Sequence, residues 1–229
     1  MVNSVTLDNA TGTFSFANCT VQNLAGSAFF SNSTVGSLVW SVANSTLNNV
    51  SVFGVCDGIR GTSAHNLTVI NCSLSGGGSK GIVSDANTTA TAVGLNVSNT
   101  TIVGGARGVD ILAGGTTAFT GIFSGNNVTN CTFEGILAFA GGASSAKIGF
   151  RNNRFVGNLG PNGDIQLVNS GTAILGALFN LNTAGLYNFT QFGGIFSIEQ
   201  FGTFASNNTG TVVTSGIITN ATAGSLGIP

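Results

Sequence analysis

The chain has 229 residues and a formal net charge of −1, and only 6% of its residues are charged, against about 25% in typical soluble domains. A chain of this length can bury one core, and the small net charge gives no reason to expect a nucleic acid or an anionic membrane as a partner. Hydrophobic residues make up 42%, which excludes ordinary disorder. Thr, Val, Ile and Phe are common while Glu, Lys, Gln and Arg are rare, so the composition favours strands over helices.

The N-terminal residues carry no recognisable targeting signal. Met1 to Asp8 include neither a basic segment nor an apolar signal core. No apolar run approaches the roughly 18 residues that a membrane-spanning helix needs. We therefore predict neither a signal peptide nor a membrane span in this chain.

A short pattern recurs six times in the first two-thirds of the chain, and each copy is anchored on an asparagine. The anchors are Asn18, Asn44, Asn71, Asn99, Asn130 and Asn152. The intervals between them are 26, 27, 28, 31 and 22 residues, close to the length of one three-sided solenoid coil. Apolar residues stand two positions before each anchor (Phe16, Val42, Val69, Val97, Val128, Phe150) and three positions after it (Val21, Leu47, Leu74, Ile102, Phe133, Phe155).

The apolar pattern changes phase at each anchor. Before the anchor, apolar residues alternate with polar ones, as in a strand with one buried face, whereas the next apolar residue after it lies three positions on. We therefore predict a sharp bend at the Asn, which tolerates left-handed backbone angles. A second corner is predicted five residues later, where the residues are Asn23, Asn49, Gly76, Gly104, Gly135 and Gly157. In two coils an apolar strand then resumes, at Lys80 and at Arg107.

This pattern, as in Leu95 to Gly104, resembles the coil repeat of the pectate-lyase-like right-handed parallel β-helix superfamily. The resemblance covers about residues 12–165 and implies an all-β, right-handed parallel β-helix in which stacked asparagines form a ladder along one corner. On that basis we expect Asn99→Ala to weaken the middle of the stack. The fold hosts lyases, hydrolases, epimerases, phage tailspikes and adhesins, so it does not define an activity.

The regular coils are placed in residues 1–165. Residues 166–229 are predicted to form further irregular coils or a β-rich cap or assembly segment, because an open solenoid end exposes strand edges. The Phe-rich run from Phe179 to Phe204 is interpreted as continued core in preference to a subunit interface.

Four cysteines are interpreted as small packing residues. Cys19, Cys72 and Cys131 each follow an anchor and are expected to share one column, in which residues two coils apart lie about 9–10 Å from each other, too far for a disulfide. Cys56 lies elsewhere in the repeat. Unpaired thiols favour assembly in a reducing compartment.

The motif Asn-X-Ser/Thr occurs about fifteen times, and in a secreted protein it would suggest dense glycosylation. Several copies start at an anchor, such as Asn71 and Asn99, where a glycan would compete with the predicted ladder. Most are therefore interpreted as by-products of the repeat.

The carboxylates are the best candidates for chemistry. Asp57, Asp85, Asp110 and Asp164 follow their anchors by eleven to fourteen residues and could lie on one face, near Arg60, Lys80 and Arg107; the others are Asp8, Glu134 and Glu199. Paired carboxylates are what glycoside hydrolysis needs. Because the spacing is loose, solvated residues or ion pairs are the favoured interpretation.

No other residue carries a strong catalytic signal. His65 is the single histidine, so neither a triad nor a histidine-based metal site is supported. Arg151 and Arg154 are interpreted as solvated, and the glycine-rich loop before Lys80 lacks the context of a phosphate loop. We assign no catalytic, cofactor-binding or metal-ligating residue and predict no cofactor.

Two classes of function remain. The favoured one is a non-enzymatic structural or adhesive component of a virion, fibre or cell-surface assembly, tailspike-like or adhesin-like, which associates with itself, as in a homotrimer, with other subunits or with polysaccharide. The alternative is a polysaccharide lyase, hydrolase or epimerase acting along a β-helix face. Ice binding is a weaker third hypothesis, based on the Thr column Thr20, Thr46, Ser73, Thr101 and Thr132, which Arg154 interrupts.

Overall fold

A computed structural model describes residues 4–34, 36–59, 62–89 and 92–229. The described residues form 24 strands, one short helix and one 3-10 turn. The elements are β1 (Val5–Asp8), β2 (Gly12–Ala17), β3 (Thr20–Leu24), β4 (Phe29–Ser33), β5 (Ser37–Ala43), β6 (Thr46–Val50), β7 (Phe53–Ile59), β8 (Ala64–Ile70), β9 (Ser73–Ser75), β10 (Lys80–Thr88), β11 (Ala92–Ser98), β12 (Thr101–Val103), β13 (Arg107–Gly115), β14 (Ala118–Ser124), β15 (Asn127–Thr129), β16 (Ile136–Ala140), β17 (Ser145–Arg151), β18 (Arg154–Val156), β19 (Ile165–Asn169), β20 (Ile174–Asn180), β21 (Thr183–Gln191), β22 (Ile195–Glu199), the 3-10 turn Phe201–Thr203, α1 (Phe204–Asn207), β23 (Thr209–Ser215) and β24 (Ile218–Ala221).

The strands stack in three parallel sheets, one on each side of the coil. The first sheet contains β2, β5, β8, β11, β14, β17, β20, β22 and β24; the second contains β3, β6, β9, β12, β15 and β18; the third contains β1, β4, β7, β10, β13, β16 and β19. Strand β21 joins the second and third sheets, because Thr183 and Ala184 pair with β18 while its later residues pair with β19. Strand β23 then pairs with β21. The chain is therefore an all-β parallel solenoid, as the repeat predicts, and it has about eight coils, compared with the six that the anchors mark in the first two-thirds of the sequence.

The bends are confirmed at the predicted residues. All six anchor asparagines have φ between 49° and 59°. Five of the six predicted second corners also have positive φ: Asn23, Asn49, Gly76, Gly104 and Gly157. Strands β10 and β13 begin at Lys80 and Arg107, where the sequence indicates that an apolar strand resumes.

The register predicted for the fifth coil is wrong. Gly125 (φ 65°) occupies the first bend there, and Asn130 (φ 59°) lies at the second corner, in place of Gly135. With Gly125 as the anchor, the last intervals become 26 and 27 residues. Glycine adopts positive φ even more readily than asparagine, so this corner lacks the Asn signal. Consequently Val128 is the buried residue after the bend, whereas Phe133 is 46% exposed.

The corrected register of the fifth coil also changes which residues belong to the Thr column and to the Cys column. Asn127, and not Thr132, pairs with Thr101, so the Thr column is interrupted one coil earlier than the sequence indicates. Cys131 follows a second corner, not a first one, and does not share the column of Cys19 and Cys72.

The asparagine ladder lies one residue beyond the predicted position. The anchor side chains are exposed, and Asn71 donates to Asn44 (3.2 Å) at the outside of the corner. The buried ladder consists of Asn126, Asn153, Asn182 and Asn208. In each step the amide oxygen of the later residue accepts the backbone N–H and the side-chain N–H of the earlier one, at 2.9–3.0 Å. Smaller polar side chains continue this column toward the N-terminus, since Thr100 and Ser45 accept from the backbone N–H groups of Cys72 and Cys19.

The core is apolar, and aromatic rings fill it toward the C-terminal end. Phe123, Phe150 and Phe179 stack in consecutive coils, with ring centroids 5.2 and 4.7 Å apart. Phe204, in α1, packs against Phe179 (5.3 Å) and so covers the core beyond the last complete coil. The interpretation of the Phe-rich run as core is confirmed for its buried members, while Phe192 is 74% exposed. Pairing of β16 with β19 continues across residue 165, and the division of the chain at that residue stays a prediction.

The thiols differ in accessibility, which gives a testable expectation. Within the described part of the chain none of the four cysteines forms a disulfide; Cys19 is half-buried and the other three are buried. Burial, and secondarily the negative charge of Asp164, raises the pKa of Cys131 to about 12. We expect a thiol reagent near pH 8 to label Cys19 rapidly in the folded chain and the other three only after unfolding, because the thiolate is the reactive form. Cys19→Ser should abolish the rapid phase; fast labelling that persists in this variant would contradict the burial.

Candidate functional site

A groove of about 440 Å³ runs along the outer side of the third sheet. Its walls and floor come from β4, β7, β10, β13 and β16, whose alternate side chains face outward. Apolar residues contribute most of the lining: Phe30, Phe53, Val83, Leu112, Leu137 and Phe139. Asn32, Lys80, Asp85 and Asp110 supply the polar groups. The groove thus combines aromatic and aliphatic surface with a few hydrogen-bonding groups, which is typical of small-ligand sites.

The register places two predicted carboxylates in this groove. Val83 is the register partner of Asp110, and Asp85 is the partner of Leu112. The two aspartates therefore lie on adjacent strands, two positions apart along the strand, with Cα atoms roughly 8 Å from each other. Asp85 and Asp110 are the members of the predicted acidic face that the structure brings together.

Asp110 belongs to a network of charges at the edge of the groove. Lys80 Nζ forms an ion pair with its carboxylate, and Arg107 lies 3.6 Å from the same oxygen. Arg107 Nε also donates to Glu134 (2.8 Å), whose other oxygen accepts from Asn162 (3.2 Å). The interpretation of these charges as ion pairs is confirmed. Arg60, predicted to lie nearby, falls outside the described residues.

This network predicts a loss of stability in acid. Burial raises the pKa of Glu134, but hydrogen bonds from Arg107 and Asn162 outweigh it and hold the pKa below its ordinary value of 4.5. A carboxyl with a lowered folded-state pKa stabilises the fold above its unfolded pKa and loses that contribution as the pH falls through the folded value. We expect the urea midpoint to drop below about pH 4.5, and to drop less in Glu134→Gln. Urea midpoints that fall equally with pH in the parent chain and in Glu134→Gln would contradict this expectation.

Asp57 lies in the same sheet but faces the core. Its Oδ1 accepts from the indole N–H of Trp40 (3.1 Å) and from Ser31, and lies 2.8 Å from Nδ1 of His65. All four side chains are buried. The aspartate–histidine pair therefore joins the third sheet to the first inside the core, so the predicted position of Asp57 on the acidic face is wrong.

Asp164 is also a structural residue and not a member of the groove. It is 4% exposed and lies before β19. One carboxylate oxygen accepts from the backbone and side chain of Asn158, and the other accepts from the backbone N–H groups of Gly185 and Leu186. Asp164 therefore ties the loop after β18 to β21 in the next coil, and its predicted place beside Asp110 is wrong.

The remaining predicted residues have local structural contacts. Arg154 donates to Asn127 (3.0 Å) and Arg151 donates to the carbonyl of Pro229. Glu199 accepts from the backbone N–H groups of Gly224 (2.8 Å) and Leu226 (3.0 Å). Among the described residues, no group of three or more His, Cys, Asp or Glu side chains is arranged to hold a metal ion.

Sequence reasoning missed the apolar floor of the groove. The apolar columns counted from the anchors face the core, whereas the residues of the groove floor point outward from the third sheet. The signal is visible in β16, Ile-Leu-Ala-Phe-Ala, where apolar residues occupy both parities, so that Leu137 and Phe139 face outward. A strand that is apolar on both faces indicates a sheet whose outer side is also partly covered.

The three stacked sheets define the class of protein, a parallel β-solenoid, and the groove is a candidate binding surface on its third sheet. Comparisons with models of protein families, with curated proteins and with solved structures each found no match to this chain. In the ranges that the structure covers, no helix has the length and apolar character needed to cross a membrane.

Proposed function

We propose that this chain is a non-enzymatic structural or adhesive component of a virion, fibre or cell-surface assembly, and that its groove contacts carbohydrate. The groove on the third sheet is the observation that carries the proposal. Aromatic rings can pack on the apolar faces of sugar rings, while amide and carboxylate oxygens accept hydrogen bonds from sugar hydroxyls. Phe139, Asn32 and Asp85 supply these groups on one surface.

The low charge supports a role inside an assembly. Only 6% of the residues are charged, and the outward residues of the first sheet in its N-terminal coils are small, neutral side chains such as Thr13, Ser41, Thr68 and Ser98. A neighbouring subunit can cover a surface of this kind at a small desolvation free energy, because few charged groups are removed from water. Membership of the pectate-lyase-like superfamily, of the tailspike or adhesin type, is part of the proposal and rests on the corner pattern.

The test is direct binding to a panel of neutral and uronic-acid oligosaccharides, measured by calorimetry. Phe139→Ala should weaken binding about tenfold, equivalent to about 1.4 kcal/mol. Phe133→Ala is the matched control, because this ring is 46% exposed and lies outside the groove, over Arg107. Binding that is equally reduced in both variants, or no binding across the panel, would refute the carbohydrate part of the proposal.

A polysaccharide lyase, hydrolase or epimerase is the second candidate, favoured by the positions of Asp85 and Asp110 on adjacent strands. Their Cα atoms lie roughly 8 Å apart on two adjacent strands and both side chains line one groove, as a pair of catalytic carboxylates would have to. However, Lys80 and Arg107 both contact one oxygen of the Asp110 carboxylate, so this oxygen is held in ion pairs and is not presented to a substrate. We expect no turnover of acidic or neutral polysaccharides with or without Ca²⁺. Turnover that disappears in Asp110→Ala would establish the enzymatic alternative.

A further inference from the structure

The third sheet ends at an open strand edge. Strand β23 pairs with β21 along one edge, and no described residue pairs with the other edge. Six of its seven residues are exposed, and Val212 is half-buried. The register is regular from Thr211 to Ser215, after an irregularity at the start of the strand. An open edge of this length presents a row of unpaired N–H and C=O groups to another strand.

The chemistry of this edge lacks the features that block pairing. Edge strands are commonly protected by Lys, by Pro or by inward-pointing charges. Strand β23 reads Thr-Gly-Thr-Val-Val-Thr-Ser, and no charged residue or proline lies between Gly202 and Ile228. Thr and Val favour the extended conformation. The edge is therefore preformed for strand pairing and carries no charge that would repel an identical strand.

Exposed apolar side chains surround the same end of the solenoid. Val213 faces outward from β23 and is 47% exposed. Phe192 and Ile217, 74% and 77% exposed, lie in the loops that follow β21 and β23. The side chain of Gln191 accepts from the backbone N–H of Ile217 (2.8 Å), which holds the two loops together. Strand pairing at the edge would cover apolar surface of the kind that marks interaction sites.

We propose that β23 pairs antiparallel with β23 of a second copy of this chain, so that the third sheet continues across a two-fold axis near Val212. An isologous contact of this kind needs a self-complementary edge, and the polar residues at both ends of β23 flank a central Val-Val pair. A head-to-tail contact would instead need β1, which has only four residues and ends in the charged Asp8. The contact is independent of carbohydrate binding, since the groove lies on other strands.

Sedimentation over a wide range of concentration tests the association, with two matched variants. Val213→Lys places a charge on the open edge, whereas Val39→Lys places the same charge on β5 in the first sheet, where the parent side chain is 44% exposed. We expect the parent chain and Val39→Lys to form closed dimers and Val213→Lys to dimerise at least tenfold more weakly, a difference of about 1.4 kcal/mol or more. A parent chain that stays monomeric, or that forms open polymers, would overturn the proposal, as would equal dimerisation of both variants.

Amide hydrogen exchange locates the contact by a second route. The amides of residues 209–215 should exchange more slowly as the parent concentration rises, while those of β1 should not change. Concentration-dependent protection of β1 in place of β23 would assign the interface to the other end and reject the proposal.

Discussion

Asn153→Ala is expected to lower the free energy of unfolding by about 2–6 kcal/mol, one of the two largest effects of any single substitution considered for this chain. The side chain is 2% exposed. It accepts from the backbone and side chain of Asn126 and donates to Asn182 and to the carbonyl of Phe123. Alanine leaves the backbone N–H of Asn126 and the carbonyl of Phe123 buried without these partners, and each costs about 1–3 kcal/mol.

The neighbouring residue provides the control for this measurement. Asn152 is exposed and has φ 53°, so Asn152→Ala removes no buried hydrogen bond and incurs only the left-handed backbone cost, about 1–2 kcal/mol. The same reasoning replaces the expectation that Asn99, also an exposed corner residue, holds the middle of the stack. Urea midpoints with unchanged m-values give the comparison. Equal midpoints for Asn152→Ala and Asn153→Ala would show that the buried ladder contributes nothing beyond the corner.

Asp164→Ala should destabilise the chain by a similar or larger amount, about 3–6 kcal/mol. Its carboxylate accepts four hydrogen bonds, at 3.0 and 2.8 Å from Asn158, 2.7 Å from Gly185 and 3.2 Å from Leu186. Alanine would leave these donors without their acceptor, although Asn158 and Leu186 are only half-buried and Gly185 is exposed. Asp164→Asn retains one carbonyl oxygen but replaces the other oxygen with an N–H donor. Its loss of stability should therefore be smaller than that of Asp164→Ala but still measurable.

Asp8→Ala is the matched control for Asp164, because Asp8 is exposed and accepts one long hydrogen bond, 3.4 Å from Asn32. Surface substitutions of this kind change stability by about 0.5 kcal/mol or less. Chemical denaturation of the three variants beside the parent measures the difference. An Asp164→Ala midpoint that coincides with the midpoint of Asp8→Ala would contradict the structural role of Asp164.

The corners were predictable from sequence because they depend on local backbone preferences. Asn18 and Asn44 bend the chain through left-handed backbone angles. Because Asn tolerates these angles whatever its spatial neighbours are, such a bend can be predicted from the sequence. The register of the fifth coil is not predictable in this way. Gly125 makes the first bend there without an asparagine, and Asn130, at the second corner, has the same sequence pattern as an anchor.

The candidate site was only partly predictable. Asp85 and Asp110 were expected on one face and do lie in one groove. Asp57 and Asp164 have nearly the same distance from their anchors, yet one faces the core and the other closes a loop. A shift of one residue in a strand reverses the direction of a side chain, so spacing counted from a corner about a dozen residues away does not decide which face a carboxylate occupies.

The sequence by itself determined that this chain is a parallel all-β solenoid with bends at recurring Asn and Gly residues, because strand periodicity and positive φ are properties of single residues and short segments. Only the tertiary structure decided which side chains meet. The ladder through Asn153, the pairing of Asp57 with His65 and the open edge of β23 all depend on how coils stack. Ladder partners lie 26 to 29 residues apart in the chain, so their contact depends on the loops between them, which local patterns do not specify.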